Sequence, residues 1–159
     1  MALNDLAAYQ FQIARSQALK IHFVMLGKTK RPEARALFED YVARIGRYAD
    51  VQCTELREAA AWKGKKFHSS ALIVLLDAAG KQWTSAEFAA WLGKQRDGGV
   101  RELVFLCGDA AGFPKEMREA ARLKISLSSL TTAHELARIM LAEQIYRGFA
   151  ILAGHPYPK

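Results

Sequence analysis

Cysteine is scarce in this chain: there are two, Cys53 and Cys107, far apart in sequence and both inside apolar segments. That spacing argues against a disulfide framework or a cysteine-rich zinc site, and a reducing cytoplasm is the expected compartment. The four histidines, His22, His68, His134 and His155, are scattered and form no close ligand pair, so no metal is expected. Long apolar runs are missing as well. The longest is the six residues Ala71 to Leu76, far below the roughly 20 that cross a bilayer, so no membrane partner is expected. Residues 1–20 lack the basic start, compact apolar stretch and small-residue cleavage site of a secretory signal. Neither a nucleophile elbow, a Walker loop nor a G-x-G-x-x-G fingerprint occurs, which weakens hydrolase, nucleoside-triphosphate and nicotinamide readings.

What is present fits one compact domain. The chain has 159 residues, 51% hydrophobic and 25% charged, with 23 Lys and Arg against 16 Asp and Glu and a net charge of +7. A basic excess favours an acidic partner such as nucleic acid. It is concentrated in residues 1–66, with 12 Lys and Arg against 7 Asp and Glu. Residues 1–20 read as an N-terminal extension and residues 21–159 as a single domain.

Strand and helix patterns alternate. Ile21 to Leu26, Val51 to Leu56, Ala71 to Leu76, Leu103 to Cys107 and Ile125 to Leu127 read as strands. Pro32 opens a helix carrying Leu37, Phe38, Tyr41, Val42, Ile45 and Tyr48 at helical spacing. Thr84 with Glu87, and Thr132 with Glu135, are expected capping boxes, and Pro114 opens a short helix. Strands alternating with helices predict an α/β fold with a largely parallel sheet. The last helix spreads Leu136, Ile139, Met140, Leu141, Ile145, Tyr146 and Phe149 around more than one face. It is either a central core helix or one that also meets a second subunit.

Open parallel sheets bind ligands beyond the carboxyl ends of their strands. Three ends stand out here: Leu76-Asp77, the turn Gly108 to Gly112, and the loop Leu127 to Thr132. The loop Lys28, Thr29, Lys30, Arg31 after the first strand is a basic surface suited to phosphate. The closing Gly154-His155-Pro156-Tyr157-Pro158-Lys159 segment places an imidazole, a phenol and an ammonium beside rigid prolines.

Taken together, Leu106-Cys-Gly-Asp-Ala-Ala-Gly112, Leu127-Ser-Ser-Leu-Thr-Thr132, the helix from Ala133 to Arg147 and the His155-Pro-Tyr157 tail resemble the RlmH family of SPOUT-class methyltransferases. Members act on a pseudouridine in helix 69 of 23S ribosomal RNA. The resemblance covers about residue 21 to the end. It implies a SPOUT-type α/β knot, with a C-terminal trefoil knot, that works as a cytoplasmic homodimer on 23S rRNA in the ribosome or large subunit. It also implies S-adenosylmethionine as cofactor, held by Leu76, Gly108, Leu127, Ser128, Ser129, Leu130, Thr131 and Thr132. The reaction would be methyl transfer to N3 of pseudouridine, with His155 and Tyr157 as the candidates that take the N3 proton or hold the flipped base. Lys28, Lys30, Arg31, Arg138 and Arg147 are the expected RNA contacts. Asp109 stands where the family turn usually has glycine, so that turn has to accommodate a side chain. A catalytically decayed SPOUT-fold RNA-binding or ribosome-assembly protein, and a SPOUT methyltransferase acting on another RNA such as tRNA, remain open as alternatives.

Overall fold

The structure, a computed structural model, describes residues 18–63 and 65–157; most of the N-terminal extension and the last two residues of the tail therefore lie outside it. Five strands form one parallel sheet: β1 (Lys20–Leu26), β2 (Asp50–Leu56), β3 (Leu72–Gln82), β4 (Glu102–Cys107) and β5 (Leu123–Ser126), in the order β2-β1-β4-β3-β5. The helices between and after them are α1 (Pro32–Ile45), α2 (Ser85–Asp97), α3 (Lys115–Ala120) and α4 (His134–Leu152).

The period-two alternation of the strands sorts side chains to two faces. Ile21, Phe23, Met25, Val74, Leu103, Phe105 and Ile125 meet Phe38 and Ile45 of α1, Phe88 and Leu92 of α2, and Leu141, Ile145 and Phe149 of α4. Val24, Leu26, Leu75, Val104 and Leu106 face the other way, onto Met117 of α3 and the half-buried Trp62 and Phe67 of the β2–β3 connector. One face is thus covered by three helices, the other by a short helix and a connector. Helix α4 lies against both α1 and α2 as well as the sheet, which accounts for its several apolar faces. Even so, Leu136 and Ile151 of α4 and Leu37 of α1 stay about half exposed.

Local signals decide most boundaries. Thr84 caps α2 as expected: its Oγ1 accepts from the Glu87 amide while the Glu87 carboxylate accepts from the Thr84 amide. The second expected box does not form. Helix α4 begins at His134 without a side-chain cap, because the Thr132 hydroxyl donates to the Leu130 carbonyl and the Glu135 carboxylate accepts from the Lys30 amide instead. A tertiary contact to the β1–α1 loop has taken the carboxylate that the box would use. Strand β3 also runs past the expected end at Leu76. Ile125 of β5 pairs with Leu76 and again with Lys81, so residues 77–80 form an excursion within the strand. The Asp77 carboxylate stabilises that excursion by accepting from the Ala79 amide.

Candidate functional site

The middle of β3, at the start of its excursion, and the carboxyl ends of β4 and β5 open onto one cleft of about 350 Å³, within the range of small-molecule sites. Strand β3 supplies Leu76, Asp77 and Ala78, strand β4 and its turn supply Cys107, Gly108, Asp109, Gly112 and Phe113, and strand β5 and its loop supply Ser126, Leu127, Ser128, Leu130 and Thr132. The first turn of α4 closes it with His134 and Ala137. Six of the eight side chains expected to hold a cofactor, Leu76, Gly108, Leu127, Ser128, Leu130 and Thr132, are therefore brought together; Ser129 and Thr131 are exposed and do not line the cleft.

The walls are built from the backbone up. The Ser126 hydroxyl donates to the Ser128 carbonyl, and the Ser128 hydroxyl accepts from the Leu130 amide, folding the loop so that Leu130 is left largely exposed at the cleft's edge. In the β4 turn, Gly112 has φ +81°, a left-handed conformation that glycine adopts without strain. Gly108 is closely packed: a Cβ there would lie 3.1 Å from the Phe113 ring, which would have to shift by a few tenths of an ångström. Asp109 fits without strain, since its φ is not positive and its carboxylate accepts from the Ala111 amide of the same turn. The glycine usual in the family is not required for this turn to close.

Burial pushes the Cys107 thiol up to about 12, so it stays protonated at neutral pH and is no nucleophile. Among the described residues no group of three or more His, Cys, Asp or Glu could hold a metal ion, and no helix is long and apolar enough to cross a membrane. Asp77, Ala78, Phe113, Arg118 and His134 also line the cleft. Asp77 was marked by its strand end; Phe113 and Arg118 had no signal beyond following the glycine turn.

The expected RNA contacts separate into two groups. Lys28, Lys30 and Arg31 are exposed in the β1–α1 loop. Arg138 is 1% exposed, and its guanidinium donates to the Thr29 hydroxyl and the Leu26 carbonyl. An arginine so placed has no surface from which to reach a phosphate; it holds the basic loop from beneath. Arg147 is ion-paired with Glu143 and lies over the Tyr157 ring at 4.5 Å, so it fastens the tail. Arg138→Met removes two hydrogen bonds from a charged donor, each worth about 1.5–3 kcal/mol, while relieving a buried charge. The expected result is a small change in melting temperature with at least ~10-fold faster hydrogen exchange at the Lys30 amide, equivalent to about 1.4 kcal/mol. Unchanged exchange would show that Arg138 does not order the loop.

The tail lies far from the cleft of its own chain. His155 Nδ1 bonds the Tyr48 hydroxyl, and the Tyr157 ring meets that of Tyr146 edge-on at 4.8 Å. His134 lines the cleft at one end of the 19-residue α4, whereas the tail leaves its other end, about 28 Å away at 1.5 Å per residue. Tyr157 folds back only to Tyr146 and Arg147. Burial and a hydrogen bond with Tyr41 hold the Tyr157 phenol well above its ordinary pKa, so it stays protonated and cannot serve as a base.

A parallel α/β sheet with a leucine-walled cleft at the end of the sheet where its strands lead into loops is the arrangement of a ligand-binding protein. Sequence comparison narrows this. A family described as Predicted SPOUT methyltransferase matches residues 19–158. The ribosomal RNA large subunit methyltransferase H of Solibacter usitatus is 48% identical over 139 residues, covering 87% of this chain and 99% of the relative. That of Novosphingobium aromaticivorans is 43% identical over 87% of this chain and 97% of its own. A probable methyltransferase from Bordetella pertussis has the same fold at a TM-score of 0.56 and 11% identity, over 85% of this chain and 97% of that one. The chain belongs to the SPOUT methyltransferase family.

Proposed function

We propose that this chain transfers a methyl group from S-adenosylmethionine to N3 of a pseudouridine in helix 69 of 23S ribosomal RNA, acting in the cytoplasm as a homodimer. The observation that carries the reading is the meeting, in one cleft, of the three strand segments on which the family motifs fall. Near-full-length identity to relatives named ribosomal RNA large subunit methyltransferase H supports the substrate class. The trefoil knot belongs to this reading as what membership of the SPOUT family implies.

The cleft suits the cofactor chemically. Leu76, Leu127 and Leu130 offer apolar cover for an adenine face, and the backbone groups at the strand ends offer donors and acceptors for its edge. Asp77 and Asp109 beside a single Arg118 leave the mouth net negative, which favours a cationic ligand. When bound, S-adenosylmethionine supplies a methyl group on a positively charged sulfur. The protein's part is alignment and exclusion of water, worth on the order of 7–11 kcal/mol for well-oriented reactants.

The N3 proton has to leave. His155 Nδ1 is engaged by the Tyr48 hydroxyl; in the tautomer that carries its proton on Nδ1, His155 has a lone pair on Nε2 and acts as the base, while Tyr157, protonated, positions the tail and donates a hydrogen bond to the RNA base. Because the tail leaves the far end of α4 and Tyr157 folds back only as far as Tyr146, about 18 Å along the helix from His134, it completes the cleft of a second copy. An apolar groove of about 410 Å³ runs from Ser126 and Leu127 at the cleft to Tyr41 and Glu143 beneath the tail. Leu37, Leu136 and Ile151 are exposed on the same two helices, giving a surface that a second subunit covers.

Gly108→Val would press side-chain carbons against Phe113 and into the cleft. It is expected to abolish S-adenosylmethionine binding, read by calorimetric titration, with the fold retained; unchanged affinity would remove the β4 turn from the cofactor site. Labelled methyl transfer into 23S RNA of large subunits tests the whole reading. Incorporation is expected, and none by folded, cofactor-binding protein would overturn it.

A further inference from the structure

A second cavity, of about 700 Å³, lies at the amino ends of β1, β2 and β4, at the other end of the sheet from the cleft. Its strand residues Lys20, His22, Gln52 and Glu102 share the sheet face that no long helix covers, and the connector residues Lys65, Lys66 and His68 close it from above. The floor is already satisfied. Glu102, 4% exposed, accepts from His22 Nδ1 at 3.0 Å and from the His68 amide at 2.8 Å, with Lys20 Nζ at 3.8 Å. His22 Nε2 is bonded to the Thr54 hydroxyl at 2.8 Å. Burial lowers the pKa of His22 despite Glu102, so the imidazole is neutral and both its nitrogens are engaged.

The rim is a different matter. Lys65 and Lys66 are exposed and have no ion-pair partner among the described residues. Among the described residues, Lys20, Lys65 and Lys66 face the cavity against Asp50 and Glu102, a positive surplus in a concave site, where field lines concentrate. A divalent cation is disfavoured by that surplus, and an apolar ligand would have to displace water from lysines.

We propose that this cavity is an anion site that takes a phosphate group. Phosphate could come from the RNA backbone or from a free phosphate-bearing molecule. Only the first source rests on the function proposed above. It would give the substrate a second anchor about 20 Å along β1 from Lys28, Lys30 and Arg31.

The test uses full-length protein and the double variant Lys65→Gln/Lys66→Gln, with inorganic phosphate as the probe. Phosphate should shift the amide resonances of His68 and Glu102 in the parent protein, and those shifts should be lost in the variant while its melting temperature and S-adenosylmethionine affinity are kept. In parallel, ribosome binding is measured against salt. A slope reduced by about two, as expected for two lost phosphate contacts, assigns the site to the RNA backbone. An unchanged slope with lost phosphate shifts assigns it to a free phosphate ligand. If phosphate shifts neither amide and the ribosome slope is unchanged, or if the shifts persist in the variant, the anion site is refuted. Neither result bears on whether the cleft transfers methyl groups.

Discussion

Gly80→Val is expected to destabilise the protein by about 3 kcal/mol or more, at the upper end of what overpacking costs. A Cβ at position 80 would lie 2.6 Å from the carbonyl carbon of Ile125 and 2.7 Å from its nitrogen. These are backbone atoms of a paired strand, so no rotamer change relieves the contact, and β3 and β5 would have to part. At roughly 2–4 °C per kcal/mol for a chain of this size, the melting temperature should fall by about 10 °C. Cofactor affinity should fall with it, because Leu76 and Asp77 on β3 and Ser126 and Leu127 on β5 frame the cleft. Ala79→Val, in the same excursion but with an exposed side chain, should change the melting temperature little. Equal melting temperatures for the two variants would mean that β3 and β5 do not cross so closely.

Removing residues 155–159 should leave folding and cofactor binding intact and lower turnover about 100-fold or more, the scale of a lost general base. The geometry of α4 makes a sharper form of this experiment possible. A chain carrying Gly108→Val has a tail but no working cleft; a chain without residues 155–159 has a cleft but no tail. Each alone should be inactive. Mixed at equal amounts and allowed to exchange subunits, random pairing gives half mixed dimers with one complete site each, so activity should recover to about one quarter of the parent level. No recovery would place the tail's action within its own chain or outside the reaction.

Much of the fold follows from local pattern. Four of the five strands are marked by short, mainly apolar runs that end at glycine, aspartate or turn residues, β2 only by the weaker pattern of residues 51–56, and α2 by a capping box that forms because both its partners are free to form it. Where the reading fell short, a distant residue had intervened. Glu135 is drawn to the Lys30 amide 105 positions away, which no local rule detects. Arg138 was indistinguishable in sequence from a surface arginine, yet its partners Leu26 and Thr29 are more than a hundred positions distant and enclose it. The excursion at residues 77–80 likewise depends on β5 lying against β3. The cleft was more legible than its chemistry. Strand ends can be located from sequence, but that His155 and Tyr157 sit at the wrong end of α4 for their own cleft appears only once the helix is placed.

The tail's position also bears on the proposed two-subunit arrangement. In the proposed reaction one chain would contribute leucine walls and strand segments that fix the methyl donor, and the other the imidazole bonded to Tyr48 and the phenol that burial and Tyr41 hold above its ordinary pKa. On the same proposal the exposed Lys28, Lys30 and Arg31 would hold the RNA backbone, in a loop that Arg138 and Glu135 keep in place.

The most direct measurement is nucleoside mass analysis of 23S RNA after incubating the protein and S-adenosylmethionine with two ribosome preparations, one with pseudouridine in helix 69 and one with uridine there. N3-methylpseudouridine should appear in the first and no added methyl group in the second. Methylation of both alike, or of neither by protein that binds the cofactor, would contradict the account.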